Sequence, residues 1–238
     1  MGEERPGREA GALIHLNIVV EGPTEETFVR DVLAPYWGAK GIFAVARSVA
    51  TSKKKGYIYR GGGSSYEKMR RDIVNWIKQR RDTYCSTMFD LYALPSDFPG
   101  KLRINPNLKA YDRVDYLEKA MAMDINNSRF IPYIQLHEFE ALLFADIDKM
   151  KLFYLEGKDK EIERLKAVAS AFDSPELINE GNQTAPSKQI IREIPDYYDN
   201  KVLIGPAVAK EIGLPVLREH CTHFDEWMRK IESLGRHI

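Results

Sequence analysis

The sequence predicts an α/β fold: a mostly parallel sheet flanked by helices, with a helical C-terminal extension. Three observations carry this. LIHLNIVV (13–20) is an almost unbroken aliphatic and β-branched run, the pattern of a strand buried on both faces. Strand-like and helix-like segments then alternate as far as residue 150. Beyond 150 the apolar spacing is helical or interrupted by loops. The expected organisation is a disordered lead over 1–12, an α/β core over 13–150, and a helical part over 151–238 packed on that core.

After the first strand, Gly22 and Pro23 break the extended run, and Thr24 can cap a helix. Glu25 and Glu26 fall in its first turn, where carboxylates complement the helix dipole. Phe28, Val29, Val32 and Leu33 give that helix an apolar face, and Pro35 is expected to stop it. IFAVAR (42–47) reads as the second strand. Residues 51–64, with SKKKG and RGGGSS, read as a mobile basic loop. A helix is expected over 65–81, with Met69, Ile73, Trp76 and Ile77 on one face. STMFDLY (86–92) is the predicted third strand, and ALPSDFPG is a loop because prolines and glycine interrupt it. A helix over 112–123 turns Val114, Leu117 and Met121 inward. FIPYIQL (130–136) reads as a further strand, and HEFEALLFADIDKM (137–150) as a helix leaving it. Later helices are expected at 158–172, 205–212 and 216–234, with a polar stretch over 173–188. In the last helix Leu217, Cys221, Phe224, Met228 and Ile231 keep a core-facing period.

Apolar residues make up 44% of the chain and charged residues 29%, ordinary values for a folded domain. No window approaches the ~18 consecutive apolar residues of a membrane span. The start, MGEERPGREAGAL, lacks a signal-peptide core. Cys85 and Cys221 form no CxxC or zinc pattern, and neither do His220 and His223 around Cys221. A cytosolic protein is the expectation. Lys plus Arg and Asp plus Glu number 35 each, so the chain is no general polycation. The charge is segregated, however. From Arg47 to Arg81 there are 11 basic residues against Glu67 and Asp72, a net +9. Such a segment is either a polyanion footprint or a solvated face. Tyr57, Tyr59 and Tyr66 flank it and could stack on bases. Gly61–Gly63 make no P-loop, because GxxxxGK[ST] is absent, and no nucleotide cofactor is expected.

Ligand sites in open α/β sheets lie beyond the carboxyl ends of the strands. Glu21 follows the first strand, Asp90 lies at the end of the third, and His137, Glu138 and Glu140 follow the later one. Taken alone, Glu21 suits helix capping or a lysine partner, Asp90 suits a turn, and His137 with Glu140 at i, i+3 suits a simple hydrogen bond as well as ligation. Gathered at one sheet edge, carboxylates repel, and a hard cation such as Mg²⁺ or Mn²⁺ relieves that repulsion. Metal-assisted phosphoryl transfer or hydrolysis is the chemistry such a set serves. HEFE is not HExxH, which disfavours a zinc protease. Lys53, Lys54, Lys55, Arg60, Arg70, Arg71 and Lys188 are the candidate phosphate contacts. Ser187 with Lys188 also reads simply as a helix cap followed by a solvated lysine.

VVEGPTEETFV resembles the first motif of Toprim-fold (Rossmann-like) proteins. TMFDLYALPSDFPG, IPYIQLHEFEALLFAD, APSKQII, IGPAVAKEIGL and REHCTHFDEWM resemble the DUF4276 family more specifically, so the likeness runs from about Leu13 to Leu234. The resemblance implies a Toprim-like core related to overcoming-lysogenization-defect nucleases, which are often encoded beside an ATPase and suspected in defence against phage or plasmid DNA. It implies a nucleic-acid substrate, a metal-linked or acid/base role for Glu21, Asp90 and Glu140, and a metal set drawn from Glu21, Glu25, Asp90, Asp97, His137, Glu138 and Glu140. A second aspartate is expected two residues after Asp90, where this sequence has Tyr92. Asp97 is the nearest replacement. That departure leaves open an inactive module that binds nucleic acid or a partner ATPase.

Overall fold

A computed structural model describes residues 13–49, 65–154, 157–178 and 184–235. Within them the apolar run forms β1 (Ile14–Val20), at the middle of a five-stranded sheet. β2 (Ile42–Ser48) pairs with it on one side, and β3 (Thr83–Asp90) on the other, both parallel. Beyond β3 lie two short parallel pieces, β4 (Phe130–Ile131) and β5 (Ile134–Gln135). They are the predicted strand 130–136, divided at Pro132, which has no N–H for the ladder. The Thr87 hydroxyl bridges the gap: it donates to the Tyr133 carbonyl at 2.9 Å and accepts from the Tyr133 N–H at 3.0 Å. Every pairing is parallel, so all strand carboxyl ends face one edge.

β1 sends Leu16, Ile18 and Val20 into one apolar cluster and Val19 into another, the period-2 alternation of a strand covered on both faces. α1 (Pro23–Phe28) leads through a π-helical turn (Val29–Leu33) into α2 (Ala34–Gly38). Pro35 therefore does not stop the helix. The wider turn lets the Ala34 N–H reach the Val29 carbonyl and places Pro35 in the first turn of α2, where a missing N–H costs least. α3 (Tyr66–Lys78) and α4 (Ala110–Ile125) cover the second face, burying Met69, Ile73, Val114, Leu117 and Met121.

The segment after β5 is not the expected α-helix. His137 takes a left-handed φ of 63°, and Phe139–Phe153 follows as a 3₁₀ run kinked at Asp146. The C-terminal part contains α5 (Asp159–Ala169), α6 (Pro186–Glu193), α7 (Tyr197–Ile212), α8 (Leu214–His220) and α9 (Thr222–Leu234). α6 begins inside the stretch expected to be polar loop, and α7 starts eight residues before the predicted helix. The expected helix 216–234 is two helices, because Cys221 leaves helical geometry. These helices share the apolar cluster of β1, α1 and α2. Trp227 stacks on Tyr133 at 4.3 Å and donates from Nε1 to Ser86 Oγ at 2.9 Å, fastening α9 to the sheet. No helix among the described residues is long and apolar enough to cross a membrane.

Candidate metal centre

Glu21 is the first residue beyond β1, and Asp90 is the last of β3. The strands are neighbours, so the two acids meet at the sheet edge, where the Asp90 backbone amide favours the ionised Glu21 carboxylate. Glu21 Oε1 and Asp90 Oδ1 are both buried without a hydrogen-bond partner. Burial pushes the Glu21 carboxyl up to about 8, the Glu25 charge adds to the rise, and the Asp90 amide offsets part of it. Asp90 is raised well above its ordinary range by burial first, then by Glu25, Glu21, Glu140 and Glu138. Asp90 thus feels four other carboxylates: Glu21 just beyond β1, Glu25 in α1, Glu138 just before the 3₁₀ run and Glu140 within it.

Three of the five are already held by other donors. Glu25 folds back so that its Oε2 accepts the Gly22 N–H at 3.0 Å. A Cβ at residue 22 would lie 3.1 Å from that oxygen, so a larger residue there would press on the Glu25 carboxylate. Glu138 accepts the Ser187 N–H at 3.0 Å, at the start of α6. Buried Glu140 lies 3.4 Å from the Tyr197 hydroxyl, and burial followed by the Glu138 charge pushes it up to about 7. Accordingly, among the described residues no three His, Cys, Asp or Glu side chains are drawn closely enough together to enclose an ion. The unpartnered pair Glu21 and Asp90 is what a hard divalent cation would fit: two oxygen donors, buried, with no competing hydrogen-bond donor on those atoms.

A family model described as a domain of unknown function, DUF4276, matches residues 20–232. The chain belongs to the DUF4276 family. No curated protein matches it. This DUF4276 chain is similar to solved structures of the C-terminal region of the OLD protein of Xanthomonas campestris pv. campestris. The structure phased with iodine has 16% identity and a TM-score of 0.44, covering 94% of this chain and 98% of that one. The structure phased with platinum has 15% identity and a TM-score of 0.46, covering 94% and 96%.

Of the other expected ligands in the DUF4276 chain, Asp97 is engaged by α3, while both ring nitrogens of His137 are buried without a hydrogen-bond partner. Both Asp97 oxygens accept the Tyr66 N–H, at 3.0 and 3.1 Å, so Asp97 caps α3. His137 is not on a helical face with Glu140, since its positive φ lies before the 3₁₀ run. Its ring packs 5.3 Å from Tyr92, and burial and then the Arg113 charge push its pKa down to about 4. Among the phosphate candidates, Arg70 pairs with Asp124 at 2.8 Å, Arg71 is exposed on α3, and Lys188 is exposed in the first turn of α6. Lys53, Lys54, Lys55 and Arg60 lie outside the described residues, as do Tyr57, Tyr59 and Gly61–Gly63. Sequence reasoning missed the first half of α7, whose Tyr197 reaches Glu140 and whose Lys201 charge lowers the pKa of both Glu25 and Glu140. The signal was there as Tyr197, Lys201 and Gly205 at i, i+4 and i+8.

Proposed function

We propose that this protein is a divalent-metal-dependent phosphodiester hydrolase acting on nucleic acid. The observation that carries the reading is the orphaned pair of buried oxygens, Glu21 Oε1 and Asp90 Oδ1, at adjacent strand ends. Glu21 and Asp90 would hold Mg²⁺ or Mn²⁺, with Glu25, Glu138 and Glu140 close enough to adjust to it. Bound there, the ion supplies positive charge to the phosphate and acidifies a water. Glu140, with its carboxyl near 7 and the Tyr197 hydroxyl beside it, is suited to taking up or releasing a proton at neutral pH. Lys188 beside Glu138, and Lys53–Lys55 and Arg60 in the basic segment, supply contacts to backbone phosphates. The resemblance of the sequence to the Toprim first motif and to the DUF4276 family implies a relation to overcoming-lysogenization-defect nucleases, and on that ground we take DNA as the polymer and defence as the role.

The test is cleavage of plasmid and single-stranded DNA by purified protein with Mg²⁺ or Mn²⁺. Cleavage that Asp90→Asn abolishes supports the reading; equal background from wild type and variant removes it for those substrates. One observation favours a second reading, a non-catalytic module that binds nucleic acid or a partner ATPase: no second acid follows Asp90 before Asp97. Calorimetry that detects no divalent-metal binding near neutral pH would favour that module.

A further inference from the structure

We infer that Tyr92 is a stacking platform for a nucleobase, so that the site takes DNA with an unpaired base beside the reacting phosphate. This rests on the hydrolase reading for the polymer and for where its phosphate lies.

Tyr92 stands in the turn (Leu91–Ala93) that follows β3, two residues beyond Asp90. Two residues of chain span at most ~7 Å, so the ring is rooted at the acid pair. His137 holds it there twice. The Tyr92 N–H donates to the His137 carbonyl at 3.4 Å, and the two rings lie 5.3 Å apart with 30° between their planes. His137 is 5% exposed and Tyr92 41%, so the imidazole is a buried backing and the phenol ring reaches solvent. His137 carries two costs in that position. Its φ is 63° at a non-glycine residue, and both ring nitrogens are buried where no hydrogen bond reaches them. Such costs persist where the surrounding structure enforces them, and they gather at ligand-binding and active sites.

A contact for phosphate adjoins the ring pair. His137 precedes Glu138, whose Oε2 accepts the Ser187 N–H at 3.0 Å, and Lys188 follows Ser187 as an exposed residue. An aromatic ring next to Asp90 and an ammonium group next to Glu138 therefore stand beside the acids. That combination suits a single strand: the ring takes the face of a base and the cation takes a phosphate. Inside a duplex those faces are covered by neighbouring base pairs, so a base must leave the stack before a ring can take it. Tyr92 also occupies the position where a second aspartate was expected. The end of β3 offers a ring there in place of a ligand.

Fluorescence anisotropy tests this with two labelled probes, an oligothymidine and an abasic strand of equal phosphate number. Binding to the full chain is measured for wild type, Tyr92→Phe and Tyr92→Leu, in Ca²⁺ and in EDTA. Thermal melts and Mn²⁺-dependent cleavage of the oligothymidine are measured alongside. Wild type should bind oligothymidine about tenfold more tightly than the abasic strand, the scale of one base–aromatic stack. Tyr92→Leu should lose that preference yet bind the abasic strand as wild type does, and Tyr92→Phe should keep the preference. Equal wild-type affinity for the two strands, or a folded Tyr92→Leu that keeps the preference, overturns the inference even if cleavage is seen. Equal loss in Tyr92→Phe and Tyr92→Leu assigns the effect to the hydroxyl and overturns it too. A preference that Tyr92→Leu alone removes, without wild-type cleavage, would remove the hydrolase reading and leave the platform standing. No binding of either strand by wild type, in either buffer, overturns the platform.

Discussion

Glu21 and Asp90 stand at the ends of the paired strands β1 and β3, each with one buried oxygen that no hydrogen bond reaches. The pair is buried among further acids, and this fixes the sign of its pH dependence. Glu21 titrates at about 8 and Glu140 at about 7 in the folded chain, against ~4.3 for an unfolded glutamate. Between those values the folded state binds more protons than the unfolded state. Metal-free stability should therefore fall as pH rises from about 4.5 to 8. A bound cation takes the place of those protons, so the stabilisation by Mg²⁺ should grow across the same window. Melting curves at stepped pH, with and without Mg²⁺, measure this; a gap that stays constant with pH contradicts it.

Gly205→Ala tests the closeness of α7. A methyl group in a helix interior ordinarily gains up to ~1 kcal/mol over glycine. Here it would lie 2.8 Å from the Tyr197 hydroxyl and 3.2 Å from the Phe139 ring. Overpacking of that kind costs about 1–3 kcal/mol, so net destabilisation is expected, together with weaker Mn²⁺ binding as Tyr197 leaves Glu140. Denaturant unfolding and calorimetry give the two readouts. A variant more stable than wild type would show that α7 has room to spare.

Asp97→Ala should lower stability by about 1 kcal/mol through loss of the α3 cap, and leave Mn²⁺ affinity unchanged. If metal binding is lost in a variant that melts normally, Asp97 belongs to the metal centre after all.

Glu176 is fully buried, and its two oxygens accept the N–H groups of His223 and Phe224 at the start of α9, as well as the Tyr111 hydroxyl. Glu176→Ala strands these donors, which should cost about 2–4 kcal/mol. Urea unfolding that moves by less than about 1 kcal/mol would mean that water replaces the carboxylate without penalty.

The parts legible in the sequence were those written in local pattern. The apolar run ending at Val20 and the Gly22–Pro23 break placed Glu21 at a strand end, where it stands. The third strand was expected at 86–92 and lies at Thr83–Asp90. Leu91 and Tyr92 continue the apolar pattern, yet belong to the following turn. Nothing in HEFE announces a left-handed histidine, because positive φ at a non-glycine residue is imposed by tertiary contacts. Asp97 could be noticed as an acid, but its use as a cap depends on where α3 begins in space. α7 was truncated because Tyr197–Lys201 is polar, although the Tyr197, Lys201 and Gly205 spacing faces the acids.

Crystals soaked in Mn²⁺ and measured at the manganese absorption edge test the central assignment most directly. An anomalous peak within about 2.0–2.3 Å of Glu21 Oε1 and Asp90 Oδ1, the range of hard-cation bonds to oxygen, is the expected result. An ordered Mn²⁺ elsewhere, with Glu21 and Asp90 unmoved and uncoordinated, would contradict it.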